Sequence, residues 1–474
     1  MTDAVDVDIE YLNAAGDGVA RLGQRTLLIP FTIPGERVRV EVDKRGRGAS
    51  LIPARLIEVL RPSRHRVTPG CRHFGPGPNE RQPGTSGCGG CSWQHIAYPE
   101  QLRLKAALVA RLLKNALRQP PAVRPTLRGT PGEPWGYRHK VHFVFGNGAA
   151  AGRRPGPLVM GHYARGSRRI VPIQECPVHA ERGNRVAFDF FDAFRRTGVN
   201  AAASTRGAGR TEASPGVLRS IAVRVAGRRP EVMATLVVSN DRDARLRTAS
   251  RRLMTSAGAP TALHLNIHPR ADAFIFGRDT RTVVGSSRLR EDIAGTSFLL
   301  SPTAFFQTNV FAAERLVDVV LEAIPADADV LDLYAGAGLF ALPLAKRNHN
   351  VVAVEENRAA VEDGEASARL NRITPHQCRF VARSVESALA SIRTADVVVL
   401  DPPREGCAPG VIEEIFGRLR PERVVYVSCN PEALVRDLHE AAAFRYVIEA
   451  VQPVDMFPHT AHVETVVTLV NRES

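Results

Sequence analysis

After Ser301 the chain adopts a rhythm that few folds accommodate, in which short β-branched runs alternate with helical stretches. Val330-Leu-Asp-Leu-Tyr334 leads into a segment that predicts a helix to Lys346; VVAVE follows and ends at Glu355, and VVVLDPP and VVYVSCNP come later. Such alternation predicts a parallel sheet with helices on both faces, a Rossmann-like domain. Sheets of this kind hold their sites beyond the carboxyl ends of the strands. The residues with chemical potential in this half of the chain fall mainly at those ends.

The remaining sequence is too long for one domain. At roughly 100 to 200 residues per domain, 474 residues suggest two or three. Residues 4 to about 60 alternate apolar and polar, as in Val38, Val40 and Val42 around Arg39 and Glu41, with Gly16, Gly18 and Gly35 expected at turns; this predicts a small β-barrel or sandwich. Proline and glycine thicken between Pro62 and Pro83. From Glu100 to about Leu117 the period becomes helical, with Leu104, Leu108 and Leu112 on one face and Arg103, Lys105, Arg111 and Lys114 on the others. Residues 128 to about 298 mix short β patterns with arginine pairs at Arg153-Arg154, Arg168-Arg169, Arg228-Arg229 and Arg251-Arg252, and an Ala/Gly/Ser/Arg stretch runs from Asn200 to Gly216. The expected division is 1–60 for the barrel, 61–97 with 128–292 for a central α+β domain, and 98–127 with 293–474 for the Rossmann-like domain.

A net charge of +14 suits a polyanionic partner, nucleic acid or an acidic membrane surface. No apolar run approaches the roughly 18 residues of a membrane span, and the opening MTDAVDVDIE is acidic, so a soluble, cytosolic protein is expected. Seven cysteines without an export signal favour metal or catalytic roles over disulfides.

Past Tyr334, Ala335-Gly336-Ala337-Gly338-Leu339-Phe340 lets backbone pass close to a ligand, and Glu355, nineteen residues beyond Gly336, can hold ribose hydroxyls. A nucleoside cofactor is expected, although the same residues satisfy the G-x-G-x-x-A dinucleotide fingerprint. Asp401-Pro402-Pro403-Arg404 resembles the fourth motif of methyltransferases, with Arg404 where amine methyltransferases carry an aromatic residue. Twenty-eight residues after Asp401, Cys429 in Ser428-Cys429-Asn430-Pro431 ends another strand, placed for nucleophilic work. Glu464, in Ala461-His462-Val463-Glu464, is a candidate base, with His459 and His462 as neighbouring competitors. Cys71, Cys88, Cys91 and Cys176, separated by 16, 2 and 84 residues, can hold either zinc or an iron–sulfur cluster. Cys378 and Cys407 read as structural.

Taken together, these motifs resemble the RNA 5-methyluridine methyltransferases, and more closely a ribosomal RNA branch with an N-terminal TRAM domain and an iron–sulfur cluster. Gly16-Asp-Gly18-Val-Ala-Arg21 and Ile33-Pro-Gly-Glu36 resemble the TRAM barrel, Cys88-Gly-Gly-Cys91 the cluster segment, and Ser301-Pro-Thr-Ala-Phe-Phe-Gln307-Thr-Asn309 a cofactor-binding strand of the family. SPxxFFQ, DPPR, SCNP and HVE follow in the family's order.

The resemblance implies a class I methyltransferase domain binding S-adenosylmethionine through Gln307, Tyr334, Glu355 and Asp401, besides the glycine loop at Gly336 and Gly338. It implies Cys429 as nucleophile, Glu464 as proton-abstracting carboxylate, and a [4Fe–4S] cluster on Cys71, Cys88, Cys91 and Cys176, with zinc as the alternative. Leu339 and Ser384 stand where family members often carry asparagine. The expected product is 5-methyluridine in RNA, 23S ribosomal RNA ahead of transfer RNA, made by a monomer. Phe305, Phe306 or Phe457 would stack on bases. Two other classes fit parts of the sequence: an iron–sulfur oxidoreductase using the glycine loop for a dinucleotide, and a non-catalytic RNA-binding protein.

Overall fold

The computed structural model describes residues 2–43, 50–76, 87–148, 156–202, 216–270 and 274–472. Arg153-Arg154, most of the loop from Gly75 to Ser86 and most of the Asn200 to Gly216 stretch lie outside the described residues.

Strands Thr2–Asp8, Tyr11–Leu12, Gly18–Leu22, Arg25–Ile29, Arg37–Asp43 and Leu51–Arg61 form one six-stranded sheet. Its two-residue period closes one face on a core of Val7, Ala20, Leu27, Ile29, Val38, Val40 and Ile52. The opposite face carries ion pairs such as Arg39 with Asp6 at 2.9 Å. Gly18, expected at a turn, instead opens a strand; a Cβ there would lie 2.0 Å from Thr32 Oγ1, so close approach rather than turn geometry demands the glycine.

The central region is a seven-stranded sheet in the order Asp279–Val284, Ala262–Ile267, Val232–Val238, Leu218–Val225, Lys140–Asn147, Leu158–Tyr163, Ile170–Pro172. Helices Glu181–Thr197 and Ala244–Met254 cover it through Phe190, Phe194 and Leu246, packed with Ile221 and Leu236.

The C-terminal sheet contains Asp329–Leu333 (β1), Asn350–Glu355 (β2), Cys378–Ala382 (β3), Val397–Leu400 (β4), Arg423–Ser428 (β5), Tyr446–Val454 (β6) and Glu464–Asn471 (β7), ordered β3-β2-β1-β4-β5-β7-β6. β1 to β5 are parallel, and β7 runs antiparallel between β5 and β6. One core holds Val330, Val399 and Val425 with Leu316 of helix Val310–Glu322; the other face packs Leu331, Val398 and Tyr426 against Leu434 of helix Pro431–Ala441. The order reverses beside β1, which opens the crevice where α/β sheets bind ligands.

Helix Tyr98–Ala116 starts two residues ahead of the expected Glu100, because Pro99 suits a first helical turn. Its Val109 and Leu113 join the C-terminal core. Lys105, expected on a solvent face, is fully buried; its Nζ bonds Asp455 Oδ1 and the Phe457 carbonyl, the latter at 3.0 Å. Lys105→Met strands the Asp455 carboxylate without its cation, which costs about 3–5 kcal/mol. A urea midpoint that drops accordingly is the expected outcome, and an unchanged midpoint contradicts it. No helix among the described residues is long and apolar enough to cross a membrane.

Candidate active site and cysteine cavity

Register dictates which residues meet at the sheet's carboxyl end. Leu333 of β1 pairs Val354 of β2 and Leu400 of β4, so Tyr334, Glu355 and Asp401 emerge side by side. The chain leaves β1 abruptly, since Tyr334 takes φ +63° and sits outside the strand it was expected to end. Gly336 and Gly338 follow at φ +55° and +85°, where glycine carries no Cβ penalty. Glu355 ties the two strands together: Oε2 accepts from Gly336 N at 2.9 Å and Oε1 from Asn357 N at 2.7 Å. A Cβ on Gly336 would meet nothing within 4 Å, so the loop faces open space.

Beneath it lies Asp332, fully buried, a residue that the sequence reading passed over although a carboxylate in an apolar strand is itself a signal. Its Oδ2 accepts from Ala341 N at 3.0 Å, while Oδ1 has no partner among the described residues. Gln307 is buried just ahead of helix Val310–Glu322, whose Asn309 cap bonds Met456 O at 3.0 Å. Phe306 and Val310 share a core with Ala335, Ala337 and Phe340, which brings this segment against the glycine loop. Leu339 belongs to that core as well, and Ser384 Oγ caps a short helix by accepting from Ser387 N at 3.3 Å.

On the neighbouring strands, Ser428 of β5 pairs Thr465 of β7, so Cys429 and Glu464 face each other one step beyond. Burial pushes Glu464 up to about 8, with Asp401 adding to the rise and Arg404 opposing it. Burial likewise pushes Asp401 up to about 7. The Cys429 thiol rises to about 12, through burial first and then the Glu464 and Asp401 carboxylates, against Arg404. Three acids and one cation therefore form a single electrostatic group, with Arg404 holding both Cys429 and Glu464 lower than burial alone would leave them. The DPPR motif and the missing aromatic mark Arg404 in the sequence, but its charge beside Cys429 and Glu464 emerges only from the fold.

His459 and His462, the rival bases, are both pushed down to about 4 by burial, with Lys105 contributing at each. Of the aromatic residues expected to stack on bases, Phe305 is 81% exposed. Phe306 is instead buried, its ring centroid 5.1 Å from that of Phe298, and so is not free to stack on a base. Phe457 packs partly buried against the core.

Cys71, Cys88, Cys91 and Cys176 line one cavity of about 230 Å³, together with Gln94, Arg138 and Glu175. Burial pushes Cys91 up to about 12 and Cys176 to about 11, and each feels the charge of Cys88. Among the described residues, no three His, Cys, Asp or Glu side chains converge as ligands of one ion.

Residues 230–472 match the model of the tRNA (uracil-5-)-methyltransferases. The chain belongs to that family. Residues 5–63 match the TRAM domain of tRNA (uracil(54)-C(5))-methyltransferase. An uncharacterized RNA methyltransferase of Gloeobacter violaceus is 35% identical, covering 98% of this chain and 96% of its own, and one from Halalkalibacterium halodurans is 32% identical over 98% and 97%. The crystal structure of Pyrococcus abyssi tRNA (uracil-54, C5)-methyltransferase with S-adenosyl-L-homocysteine aligns at a TM-score of 0.72 and 26% identity, covering 99% of this chain and 100% of that one.

As a uracil-5-methyltransferase, the chain is an S-adenosylmethionine-dependent enzyme acting on RNA, and the dinucleotide oxidoreductase and non-catalytic readings fall away. The residues present fit the methyl donor: the open glycine loop, the Glu355 carboxylate bound to it, and the partnerless Asp332 Oδ1 form a polar cradle.

Proposed function

We propose that the enzyme methylates C5 of a uridine by a covalent route in which Cys429 adds to C6 and Glu464 removes the C5 proton. Supporting it is the meeting of Cys429 and Glu464 across the ends of β5 and β7, next to Asp401 and the glycine loop. Uracil C5 is too weak a nucleophile for a sulfonium methyl group. Addition of the Cys429 thiolate to C6 pushes the ring's electron pair toward C5 as an enolate. Bound S-adenosylmethionine supplies the electrophilic methyl group. Glu464 then accepts the C5 proton, the C5–C6 double bond re-forms, and the thiolate departs. In this reading Gln307, Tyr334, Glu355 and Asp401, with Gly336 and Gly338, hold the donor, and the target base is unstacked to reach the thiol.

A base that must be ionised ties activity to pH. With Glu464 pushed up to about 8, the ionised fraction is small at pH 6 and grows through pH 8. Turnover is therefore expected to climb with pH across that window. A profile already flat from pH 6 upward contradicts Glu464 as the base.

For the cysteine cavity we propose a [4Fe–4S] cluster on Cys71, Cys88, Cys91 and Cys176. Supporting it are the four thiols that line one cavity and the resemblance of Cys88-Gly-Gly-Cys91 to the family's cluster segment; a lone zinc ion is the alternative. The role assigned is structural, since methyl transfer and elimination move no net electron. Protein purified without oxygen is expected to carry iron and sulfide and to lose both in Cys91→Ser; zinc in place of iron overturns the assignment.

For the target, resemblance to the ribosomal RNA branch favours 23S ribosomal RNA. A second reading, transfer RNA, is favoured by the likeness to the P. abyssi enzyme over 99% of this chain. Transfer of labelled methyl to purified 23S and transfer RNA, with the 5-methyluridine positions mapped, tests both. Label on neither, or label at an atom other than uridine C5, overturns the proposal.

A further inference from the structure

Glu464 stands at the start of β7, directly after the loop of residues 455–463 that leaves β6. Glu464 pairs with Val454 at the end of the β6–β7 ladder, so the loop closes the hairpin directly against it, and burial, Asp401 and Arg404 act on its carboxylate. The loop is anchored almost entirely from outside its own sheet. Lys105 Nζ donates to Phe457 O at 3.0 Å and Tyr137 Oη to Pro458 O at 2.9 Å. Ser92 N and Trp93 N, just past Cys91, both donate to His459 O, at 2.9 and 2.8 Å.

At the centre of the loop His459 takes φ +65°, a conformation that a residue with a Cβ rarely adopts unless its surroundings impose it. Trp135 packs on its ring at 4.2 Å. Gln101, with no exposed surface, grips it at both ends: Oε1 accepts from His459 N at 2.8 Å, and Nε2 lies 3.2 Å from Nδ1. The same Nε2 reaches Trp93 O at 3.1 Å and Ile96 O at 2.8 Å. A single amide thus fastens the segment after Cys91 to the strained residue five positions before Glu464. A leucine of similar size would fill the space, yet it would leave the His459 N–H and the Ile96 carbonyl without partners, while Trp93 O would keep its bond from Ile96 N.

We infer that Gln101 is a positioning residue for proton abstraction, holding His459 so that the loop delivers Glu464 to the C5 proton of the methylated adduct. The inference rests on the roles proposed for Cys429 and Glu464. Addition of sulfur to C6 and methyl transfer involve Cys429 and the donor cradle, which Gln101 does not touch. Only the last step suffers when the loop drifts: the proton stays on C5, the C5–C6 double bond cannot re-form, and the C6–S bond is retained. A displacement of about 1 Å at a reacting group costs up to about 100-fold in rate.

Gln101→Leu and the milder Tyr137→Phe, which removes only the bond to Pro458, test this with unmodified RNA and S-adenosylmethionine. The expected result for Gln101→Leu is a turnover reduced by up to about 100-fold, together with a methylated protein–RNA adduct that survives denaturing electrophoresis and is scarce in the wild-type chain. Tyr137→Phe is expected to show the same adduct at a lower level, with S-adenosylhomocysteine affinity unchanged. Adduct and turnover falling together in both variants, or neither changing, overturns the inference. If 5-fluorouridine RNA fails to trap even the wild-type enzyme, the covalent route itself fails and the role of Gln101 falls with it.

Discussion

Cys429→Ser is expected to abolish methylation while leaving the protein folded. The residue is half-buried at the end of β5, and oxygen is close in size to sulfur, so neither the sheet nor the cradle should shift. The chemistry does shift. A thiol already raised to about 12 by burial and two carboxylates is hard to ionise, and a hydroxyl in the same surroundings is far harder. Thiolates also add to and leave carbon more readily than alkoxides. Loss of a nucleophile that acts as part of a unit costs on the order of 10⁴-fold or more, so turnover should fall below detection by labelled methyl transfer. S-adenosylhomocysteine affinity is expected to stay at the wild-type level, and activity within tenfold of wild type contradicts the assignment.

Glu464→Gln is expected to separate the two halves of the reaction. The amide keeps the volume and removes a buried carboxylate that faces Asp401 and Cys429, so stability should hold or rise. Addition and methyl transfer proceed, but nothing takes the C5 proton, and enzyme and RNA remain joined. A positioned base contributes about 10²–10⁴-fold; multiple turnover is expected to fall by that factor while one equivalent of methylated adduct accumulates. Free methylated RNA released at the wild-type rate contradicts a role for this carboxylate.

Much of the fold and the strand-end site was legible because both obey short-range rules. Alternation put Val38, Val40 and Val42 in the barrel core, and the β-branched runs gave β1, β2, β4 and β5 to within a residue or two. A motif at the end of a parallel strand must face the crevice, so Asp401 and Cys429 came together without any knowledge of long-range contacts. Glu464 was harder, because β7 runs against β5 and its place opposite Cys429 depends on the pairing of Ser428 with Thr465, 37 residues apart. What stayed hidden was decided by partners distant in sequence. Lys105 reads as a surface charge until Asp455 is found against it, and Gln101 reads as an ordinary helical polar residue until His459 is. Phe306 looked equivalent to Phe305, and only its packing on Phe298 removes it from the surface. Tyr334 reads as the last residue of a strand, whereas it takes φ +63° at the turn by which the chain leaves β1 for the glycine loop.

The most direct test of the account is mass spectrometry of the wild-type enzyme after incubation with S-adenosylmethionine and RNA carrying 5-fluorouridine at the target. Fluorine cannot leave as a proton, so the reaction should stop with a methylated nucleotide bonded to the Cys429 sulfur. The expected result is one RNA equivalent per chain, mapped to the peptide containing Cys429 and absent from Cys429→Ser. Methylated fluorouridine RNA with no protein attached contradicts the covalent route.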